Sequence, residues 1–470
     1  MTTTAEISTG SLNDTDGDSV ADLTRPGQLD FSYNQSISTE IREPVVFSDT
    51  FARWNFDRQG FLSHTSRITF SVTPPDGVAS AFFPVGVGIG SLIDRVVLKG
   101  GPGGATIAET QEFGSLMAYD SMFVSSEANK EREQYLSARM MSHASVYETD
   151  PTTHKTDVDA PTYGLDNGRS YTGADLKLLP FSRIDGTDAT TVKESPVYSI
   201  LLGDLVDLFK NQDFPLYLCD DEIHLELHFQ TDSQKRVCQP TGGVGGAYKI
   251  DQSECRMIYD TIYYDGEQMD KFKSAADRGG GLTYAYTDYR LTKRTATSAA
   301  TWANLIQNVG GAGRFVDKVI VRISDDTANK QLSLLNSYQS EAPTTGETTL
   351  NIRYNDRFEF PIDRSNTAML FQTLKDAQGE VPFITRQEFS RESPDTITAR
   401  TFELIDQRVA LGGKLNFLAV KPSREERINN QGIDLIFKGV YPGTSMTLLC
   451  WLGLRKVARI ENGALTCYFA

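Results

Sequence analysis

The segment 255–281 constrains the fold of this chain more than any other part of its sequence. Residues 255–264 (CRMIYDTIYY) are dense in β-branched and aromatic residues, and both faces of a strand drawn through them are largely apolar. Residues 267–278 change to a helical period, and three glycines at 279–281 end that helix. A second strand-like segment, LTYAYTDYRL, begins at 282–291. The pattern predicts a buried strand, a short linker helix and a new series of strands.

This linker divides the 470 residues into two strand-rich halves of similar length. Residues 92–99 and 315–322 share one order of apolar, acidic and basic positions, and residues 223–227 similarly match 433–437. Matching motifs in the same order indicate an internal duplication, although each half is far longer than a solenoid repeat. We therefore predict an all-β chain made of two similar units.

A few segments depart from the strand pattern. Residues 108–143 have the longest helical pattern and predict a pair of helices, and shorter helices are predicted at 205–210 and 367–377. Residues 144–192 are rich in Asp, Thr, Gly and Pro, and together with 335–348 they predict long loops on outer or inter-subunit surfaces.

The composition, 39% hydrophobic with 25 Phe and 19 Tyr, is that of a chain that can bury sizeable cores. The net charge of −16 and the pI near 4.9 argue against a surface that holds nucleic acid phosphates, so we expect no sequence-specific nucleic acid binding. Residues 1–28 predict a flexible acidic arm. The sequence has no run of 18 apolar residues and no basic, apolar start, so we expect neither secretion nor a membrane span.

The chain contains few residue patterns that suggest a metal site. Strand-like alternation places His224, Glu226 and His228 on one face, but the two histidines are about 13 Å apart along a strand, too far to share one ion easily. We therefore predict a solvated or inter-subunit face. Residues 13–18 (NDTDGD) resemble part of a calcium loop, but its first ligand position falls on Leu12, which favours a solvated acidic tail.

Two glycine-rich segments, 84–91 and 100–104, do not predict a phosphate site. The first precedes a strand rather than a helix, and the second lacks the Lys-Ser/Thr pair of a P-loop. The odd number of cysteines, widely spaced and without a CxxC pair, predicts reduced and mostly buried thiols. They are Cys219, Cys238, Cys255, Cys450 and Cys467.

No catalytic motif stands out. The five histidines all lie in the first half, and no GxSxG or HExxH motif or paired-carboxylate motif is present, so we predict that the chain is not an enzyme. Two alternatives stay open. One is a two-domain jelly-roll enzyme, and the other is a carbohydrate-binding β-sandwich that uses Tyr284, Tyr286 and Tyr289.

Several motifs together resemble a known family. They are Phe61-Leu62-Ser63, residues 83–88 (FPVGVG), residues 119–123 (YDSMF), residues 127–133 (EANKERE) and Ile258-Tyr259-Asp260. The sequence resembles major capsid proteins of polinton-like viruses, algal double-stranded DNA viruses and virophages, within the adenovirus–tectivirus lineage. The likeness covers most of residues 50–275, and the second half matches mainly in length and strand order.

The resemblance implies an all-β fold of two tandem eight-stranded jelly rolls, a double jelly roll, with short helices and long inserted loops. The implied organisation is an arm at 1–28, a first jelly roll at 29–265, a linker helix with its glycine stop at 266–281 and a second jelly roll at 282–470. Sixteen strands with frequent turns fit this fold.

The implied function is that of a major capsid protein, located in the virion and assembled inside the host cell. Its implied partners are a homotrimer forming a pseudo-hexagonal capsomer, neighbouring capsomers, and penton and minor capsid or cement proteins. An internal membrane or the genome would lie nearby. The resemblance implies no catalytic, metal-binding or cofactor-binding residue.

Overall fold

The structure is a computed structural model, and it describes somewhat more than half of the chain. The described residues are 35–73, 81–83, 87–101, 103–123, 136–139, 163–165, 169–171, 183–184, 197–210, 212–231, 249–277, 281–296, 305–325, 338, 340, 345–358, 362–363, 367–379, 417–422, 426–440 and 446–470. The arm at 1–28, the partial calcium loop and Cys238 lie outside these ranges.

Strands dominate both halves. Those of the first half are β1 (Gln35–Arg42), β2 (Val46–Ser48), β3 (Phe51–Asn55), β4 (Phe61–Leu62), β5 (Arg67–Phe70), β6 (Val72–Thr73), β7 (Ala81–Phe82), β8 (Ile93–Gly100), β9 (Ala105–Gln111), β10 (Tyr163–Leu165), β11 (Arg169–Tyr171), β12 (Arg183–Ile184), β13 (Tyr198–Leu201), β14 (His224–Phe229), β15 (Lys249–Ile250) and β16 (Arg256–Tyr264). Those of the second half are β17 (Leu282–Ala296), β18 (Leu305–Gly310), β19 (Val316–Asp325), β20 (Thr345–Tyr354), β21 (Arg357–Phe358), β22 (Ile362–Asp363), β23 (Leu418–Val420), β24 (Ile433–Val440), β25 (Met446–Glu461) and β26 (Ala464–Phe469).

Four α-helices interrupt the described strands. They are α1 (Phe113–Asp120), α2 (Leu202–Leu205), α3 (Gly266–Asp277) and α4 (Thr367–Gln378). The predicted helices at 267–278 and 367–377 are confirmed by α3 and α4. The predicted helix pair at 108–143 is wrong at its start, because residues 108–111 belong to β9 and α1 begins only at Phe113. Further along this range, the described residues 136–137 are helical again.

The first half folds into two five-stranded sheets. Sheet I has the order β1-β16-β5-β13, with β4 also paired to β16, and sheet II has the order β2-β3-β14-β8-β9. When the eight main strands (β1, β3, β5, β8, β9, β13, β14 and β16) are numbered 1 to 8 along the chain, the orders are 1-8-3-6 and 2-7-4-5. This antiparallel arrangement of eight strands in two sheets is a jelly roll. Sheets I and II are called the first unit.

The second half repeats this order. Sheet III has the order β17-β25-β19-β23, with β26 paired to β25, and sheet IV has the order β18-β24-β20-β21, with β22 paired to β20. Numbered 1 to 8 from β17 to β25, with β21 as the fifth, the main strands again give 1-8-3-6 and 2-7-4-5. The predicted fold class, two tandem eight-stranded jelly rolls, is confirmed. Sheets III and IV are called the second unit.

One of the two motif matches locates equivalent strands. Residues 223–227 and 433–437 fall on β14 and β24, the seventh strand of each unit. Residues 92–99 and 315–322 do not correspond, because β8 is the fourth strand of its unit and β19 is the third. Both are central strands with buried apolar faces, so their similar patterns reflect similar environments rather than equivalent positions.

Alternating side chains build the core between the paired sheets. On β14, Leu225, Leu227 and Phe229 are buried, and the intervening His224 and His228 lie on the outer face of sheet II. The buried hydrophobic residues form one continuous cluster that runs through both units and includes Trp54 and Trp451. The two units therefore share a core as well as a chain.

The predicted loops lie mostly outside the described residues. Within 144–192 the structure describes only the short strands β10, β11 and β12. Within 335–348, Tyr338 is buried with its ring against Gly114, so this part of the predicted surface loop is interior. Among the described helices, none has the length and apolar composition that a bilayer crossing requires.

Candidate functional site

The outer face of sheet II carries the histidine cluster that the sequence singled out. Glu226 lies between the two histidines, with its carboxylate 3.3 Å from His224 Nε2 and 3.9 Å from His228 Nε2. Lys99 on the neighbouring strand β8 reaches the same carboxylate at 2.9 Å. Both histidine side chains therefore approach the carboxylate that lies between them on the strand. The cation bound to Glu226 is the Lys99 ammonium group of the same chain.

The electrostatics of this cluster favour neutral histidines and an ionised glutamate. Burial lowers the pKa of both His224 and His228, and the nearby Arg53 and Arg95 lower it further. Burial alone would raise the pKa of Glu226, but the hydrogen bond and charge of Lys99 outweigh burial and lower it. Within the described residues no group of three His, Cys, Asp or Glu side chains has metal-binding geometry.

The glycine-rich segments have structural roles. Gly88–Leu92 forms a buried 3₁₀ turn that leads into β8, and Gly101, Gly103 and Gly104 have positive φ in the turn joining β8 to β9. Neither segment opens an α-helix toward a ligand. The described cysteines are free thiols, and burial raises the pKa of Cys219 and Cys255 to about 12. Such thiols stay protonated and unreactive at neutral pH.

A larger polar arrangement joins the two units. Strand β9 is the edge strand of sheet II, and its outward backbone groups meet side chains of sheet III at three successive alternate positions. Ile107 O accepts hydrogen bonds from Tyr286 Oη at 2.7 Å and Lys456 Nζ at 2.8 Å. The backbone N–H of Glu109 donates to Asp288 Oδ1 at 3.0 Å. These contacts, together with the hydrogen bond from Trp451 to Gln111, are called the capped edge.

The third position of the capped edge is Gln111, whose carbonyl accepts a hydrogen bond of 2.9 Å from Trp451 Nε1. Trp451 is fully buried, so the bond satisfies a donor that water cannot reach. The side chains that cap β9 come from the neighbouring strands β17 and β25. The free edge of one jelly roll therefore lies on a strand pair of the other.

A buried ion pair fixes this contact. Lys456 Nζ lies 2.9 Å from Asp288 Oδ2, and the side chains are only 5% and 3% exposed. Each charged group also forms a hydrogen bond with the backbone of β9: Lys456 donates to Ile107 O, and Asp288 accepts from the N–H of Glu109. The two charges are therefore hydrogen-bonded to the first unit as well as to each other. Buried charges are tolerated when they are paired and hydrogen-bonded in this way. Neither Lys456 nor Asp288 was singled out by the sequence, because they and their partners on β9 lie far apart in the chain.

Helix α1 extends the contact between the units. Arg322 Nη1 donates to Ser115 Oγ at 2.8 Å, and both residues are buried. At the rim, Lys293 and Glu112 form an exposed ion pair of 3.3 Å. The backbone N–H of Thr287 also donates to Asp207 at 2.8 Å. Several strands and one helix thus hold the two jelly rolls together.

The tyrosines of the carbohydrate hypothesis belong to this interior. Tyr284 is 1% exposed and its ring packs against Phe214 of the first unit, and Tyr286 is 4% exposed. Tyr289 is partly buried and packs against the shared core. Aromatic rings in these positions cannot stack on a sugar.

The opposite side of the first unit is open. Strand β1 is the edge of sheet I and β2 is the edge of sheet II, and no described strand pairs with their outer sides. Ile37 and Ile41 are 61% and 66% exposed, and Val45 and Val46 continue the apolar strip. These four residues are called the open edge. Long exposed edge strands with apolar side chains mark interaction surfaces.

Comparisons with known proteins identify the fold. No protein-family model and no curated protein matches the sequence. Among solved structures, the capsid of PBCV-1 virus is 12% identical, covers 94% of this chain and 98% of its own chain, and has a TM-score of 0.51. The mavirus major capsid protein is 9% identical, with 94% and 90% coverage and a TM-score of 0.53. A Sputnik virophage chain gives the same four values. This chain therefore shares its fold with these viral and virophage capsid chains over nearly its whole length.

Proposed function

We propose that this chain is the major capsid protein of an icosahedral double-stranded DNA virus, and that three copies form a pseudo-hexagonal capsomer. The observation that carries the proposal is the extent of the shared fold. The likeness spans 94% of this chain and 90% or more of the PBCV-1, mavirus and Sputnik chains. Nearly all of this chain thus matches the architecture of those capsid chains.

The contact between the two units supports the same function. The capped edge and the buried Lys456–Asp288 pair join two jelly rolls of identical strand order into one block. Three such blocks in a ring present six similar units, which is what a hexagonal outline requires. We propose domain boundaries at 1–28, 29–265, 266–281 and 282–470, with α3 as the linker.

The proposed location is the virion, with assembly inside the host cell. The proposed partners are neighbouring capsomers and penton, cement or minor capsid proteins, with the genome or an internal membrane near the inner surface. The net charge of −16 supports a shell that does not recruit its genome by clustered positive charge.

The alternative functions have less support. A carbohydrate-binding role rested on three tyrosines, and Tyr284 and Tyr286 are buried between the units. An enzymatic role requires a nucleophile, base or metal constellation in an accessible cleft. In the described part of the chain, the clustered histidines point to a glutamate already bound by Lys99.

Light scattering and negative-stain electron microscopy of the purified chain test the proposal. A homotrimer has about three times the 52.0 kDa of one chain and should show hexagonal outlines. Its interfaces should each bury about 2,000 Å² or more, as in obligate assemblies, so the trimer should persist on dilution. A monomer at micromolar concentration, without hexagonal particles at any concentration, would contradict it.

A further inference from the structure

The contact between the two units of one chain uses one edge of each unit. On the other side of each unit, the edge formed by the equivalent strands has no further partner among the described strands of the chain. Within the chain, the fifth strand of the first unit (β9) lies on the first and eighth strands of the second unit (β17 and β25). When the roles of the two units are exchanged, the equivalent strands are the fifth strand of the second unit (β21) and the first and eighth strands of the first unit (β1 and β16). Among the described residues, no other strand of the chain pairs with the outer side of β21 or of β1.

Both unused surfaces expose large apolar side chains. On β21, Phe358 is 65% exposed beside the guanidinium of Arg353, which lies 5.9 Å from its ring centre. On the other side lies the open edge. Ile37 pairs in register with Ile262 and Ile41 with Ile258, so the members of each pair lie on the same face of sheet I. Ile262 is buried, and the exposed apolar surface at this edge is therefore supplied by β1 and the residues that follow it. Four of the large hydrophobic residues exposed on the described surface thus fall within ten positions of the sequence.

We propose that the open edge (Ile37, Ile41, Val45 and Val46) is the docking surface for the β20–β21 edge of a second copy of this chain, with Phe358 as the apolar anchor. This inference rests on the proposed function and specifies its trimer contact. The contact repeats between copies the arrangement that β9 makes with β17 and β25 inside the chain. Polar side chains cap the edge inside the chain, whereas apolar side chains meet between copies.

Symmetry favours a second copy as the occupant. The two surfaces differ, so their contact is heterologous, and a heterologous contact closes into a ring when its rotation allows. The two units have the same strand order, so the contact within one copy and the contact between copies relate neighbouring units in the same way. A row of units joined by these alternating contacts therefore curves in one direction. Three copies then complete the ring, with each open edge covered.

Charge is compatible with this pairing. Arg357 on β21 is about half exposed and forms an ion pair with Glu426. Glu40 and Asp57 beside the open edge are exposed to a similar degree, and both form ion pairs with Arg42. Docking would therefore extend existing ion pairs at the rim rather than neutralise free charges. Rim charges of opposite sign speed association and fix orientation more than they add affinity. The apolar residues therefore supply the binding free energy, and a charge placed among them should weaken the contact most.

Two complementary variants test the proposal, with light scattering for mass and circular dichroism for fold. Ile37→Glu/Ile41→Glu blocks the open edge, and Phe358→Glu blocks the anchor. The control is Ile306→Glu on β18, which changes an isoleucine of 57% exposure outside the proposed contact. Each blocking variant should raise the concentration needed for trimers about a hundredfold or more, whereas the control should assemble as the wild type does.

Mixing the two blocked variants gives the sharper result. Each retains one intact surface, so an equimolar mixture should form a dimer of one chain of each kind that cannot grow further. Trimers in both blocked variants, with wild-type trimers also present, would overturn this inference and leave the proposed function standing. A wild-type monomer would overturn both. If the Glu pair prevents folding, Ile37→Thr/Ile41→Thr keeps strand propensity and should weaken assembly less, but in the same direction.

Discussion

Strands β9 and β1 both form the edge of a five-stranded sheet in the first unit, yet they are treated in opposite ways. The outward groups of β9 at 107, 109 and 111 are hydrogen-bonded by side chains of the second unit. Strand β1 has no such cover within the described residues, and Ile37 and Ile41 are mostly exposed.

The difference shows where the chain completes its own structure and where it depends on another molecule. An unpaired edge invites association, and proteins usually block it with charges, a bulge or a covering segment. Here a buried ion pair from the second unit blocks one edge. The other edge is left apolar, which favours a specific partner. Substitutions at the first edge should therefore affect folding, and substitutions at the second should affect assembly.

The largest effect is expected for Asp288→Ala. Removing this carboxylate leaves the Lys456 ammonium buried without its counter-charge and the N–H of Glu109 without its acceptor. The expected loss is about 3–5 kcal/mol of unfolding free energy. Denaturant unfolding, followed by circular dichroism, measures it.

The double variant Asp288→Leu/Lys456→Met is the matched control. It removes both charges and restores apolar volume, so it should lose markedly less stability than Asp288→Ala. Equal losses in the two variants would show that the ion pair does not set the stability of the capped edge.

A smaller effect is expected for Trp451→Phe. The substitution removes the indole N–H that bonds Gln111 O and leaves a small cavity at a fully buried position. The expected loss is about 2 kcal/mol. Tyr286→Phe should lose less, about 1 kcal/mol or below, because Ile107 O keeps its bond from Lys456. A larger loss for Tyr286→Phe than for Trp451→Phe would reverse the order that the geometry predicts.

The histidine cluster predicts a pH dependence of modest size. The folded-state pKa of His224 and His228 is lowered from 6.5, so the folded protein binds protons less readily than the unfolded chain. Their contribution to stability is complete above about pH 6.5 and is lost as the pH falls through the folded-state values. The melting temperature should fall between pH 7.5 and 5.5, and His224→Gln/His228→Gln should reduce that fall. An identical fall in both proteins would exclude these histidines as its source.

The smallest effect on folding is expected at the open edge. In a Phe358→Glu background, which keeps the chain monomeric under the proposal, Ile37→Thr/Ile41→Thr should change the unfolding free energy by about 0.5 kcal/mol or less. Both side chains are already exposed in the monomer, so little burial is lost. A loss of 2 kcal/mol or more would show that these residues stabilise the monomer.

The sequence predicted the strands best where one face is buried. The alternation of Ile223, Leu225, Leu227 and Phe229 located β14 and the direction of its side chains. It failed at residues 108–111, where the apolar and charged positions fit a helix as well as a half-covered edge strand. The sequence also predicted that β8 and β19 are equivalent strands, which is wrong. Both are central strands, and similar surroundings give them similar residue patterns.

The contact between the units could not be predicted. Asp288 and Lys456 are separated by most of the second half of the chain, and each alone looks like a solvated charge. Their partners at Ile107 and Glu109 are backbone groups, and a backbone hydrogen bond does not require a particular side chain at those positions. The open edge left a faint signal: isoleucines at 37 and 41 in an otherwise polar strand. Exposure at that edge becomes evident only once the strand order is known.

A capsid subunit whose open edge is covered by another copy should remain trimeric when it is diluted. Light scattering across a dilution series, from tens of micromolar to below one micromolar, tests it most directly. We expect a constant mass of about three times 52.0 kDa for the wild type and for Ile306→Glu, and monomers for Ile37→Glu/Ile41→Glu. A wild-type mass of one chain throughout the series would contradict it.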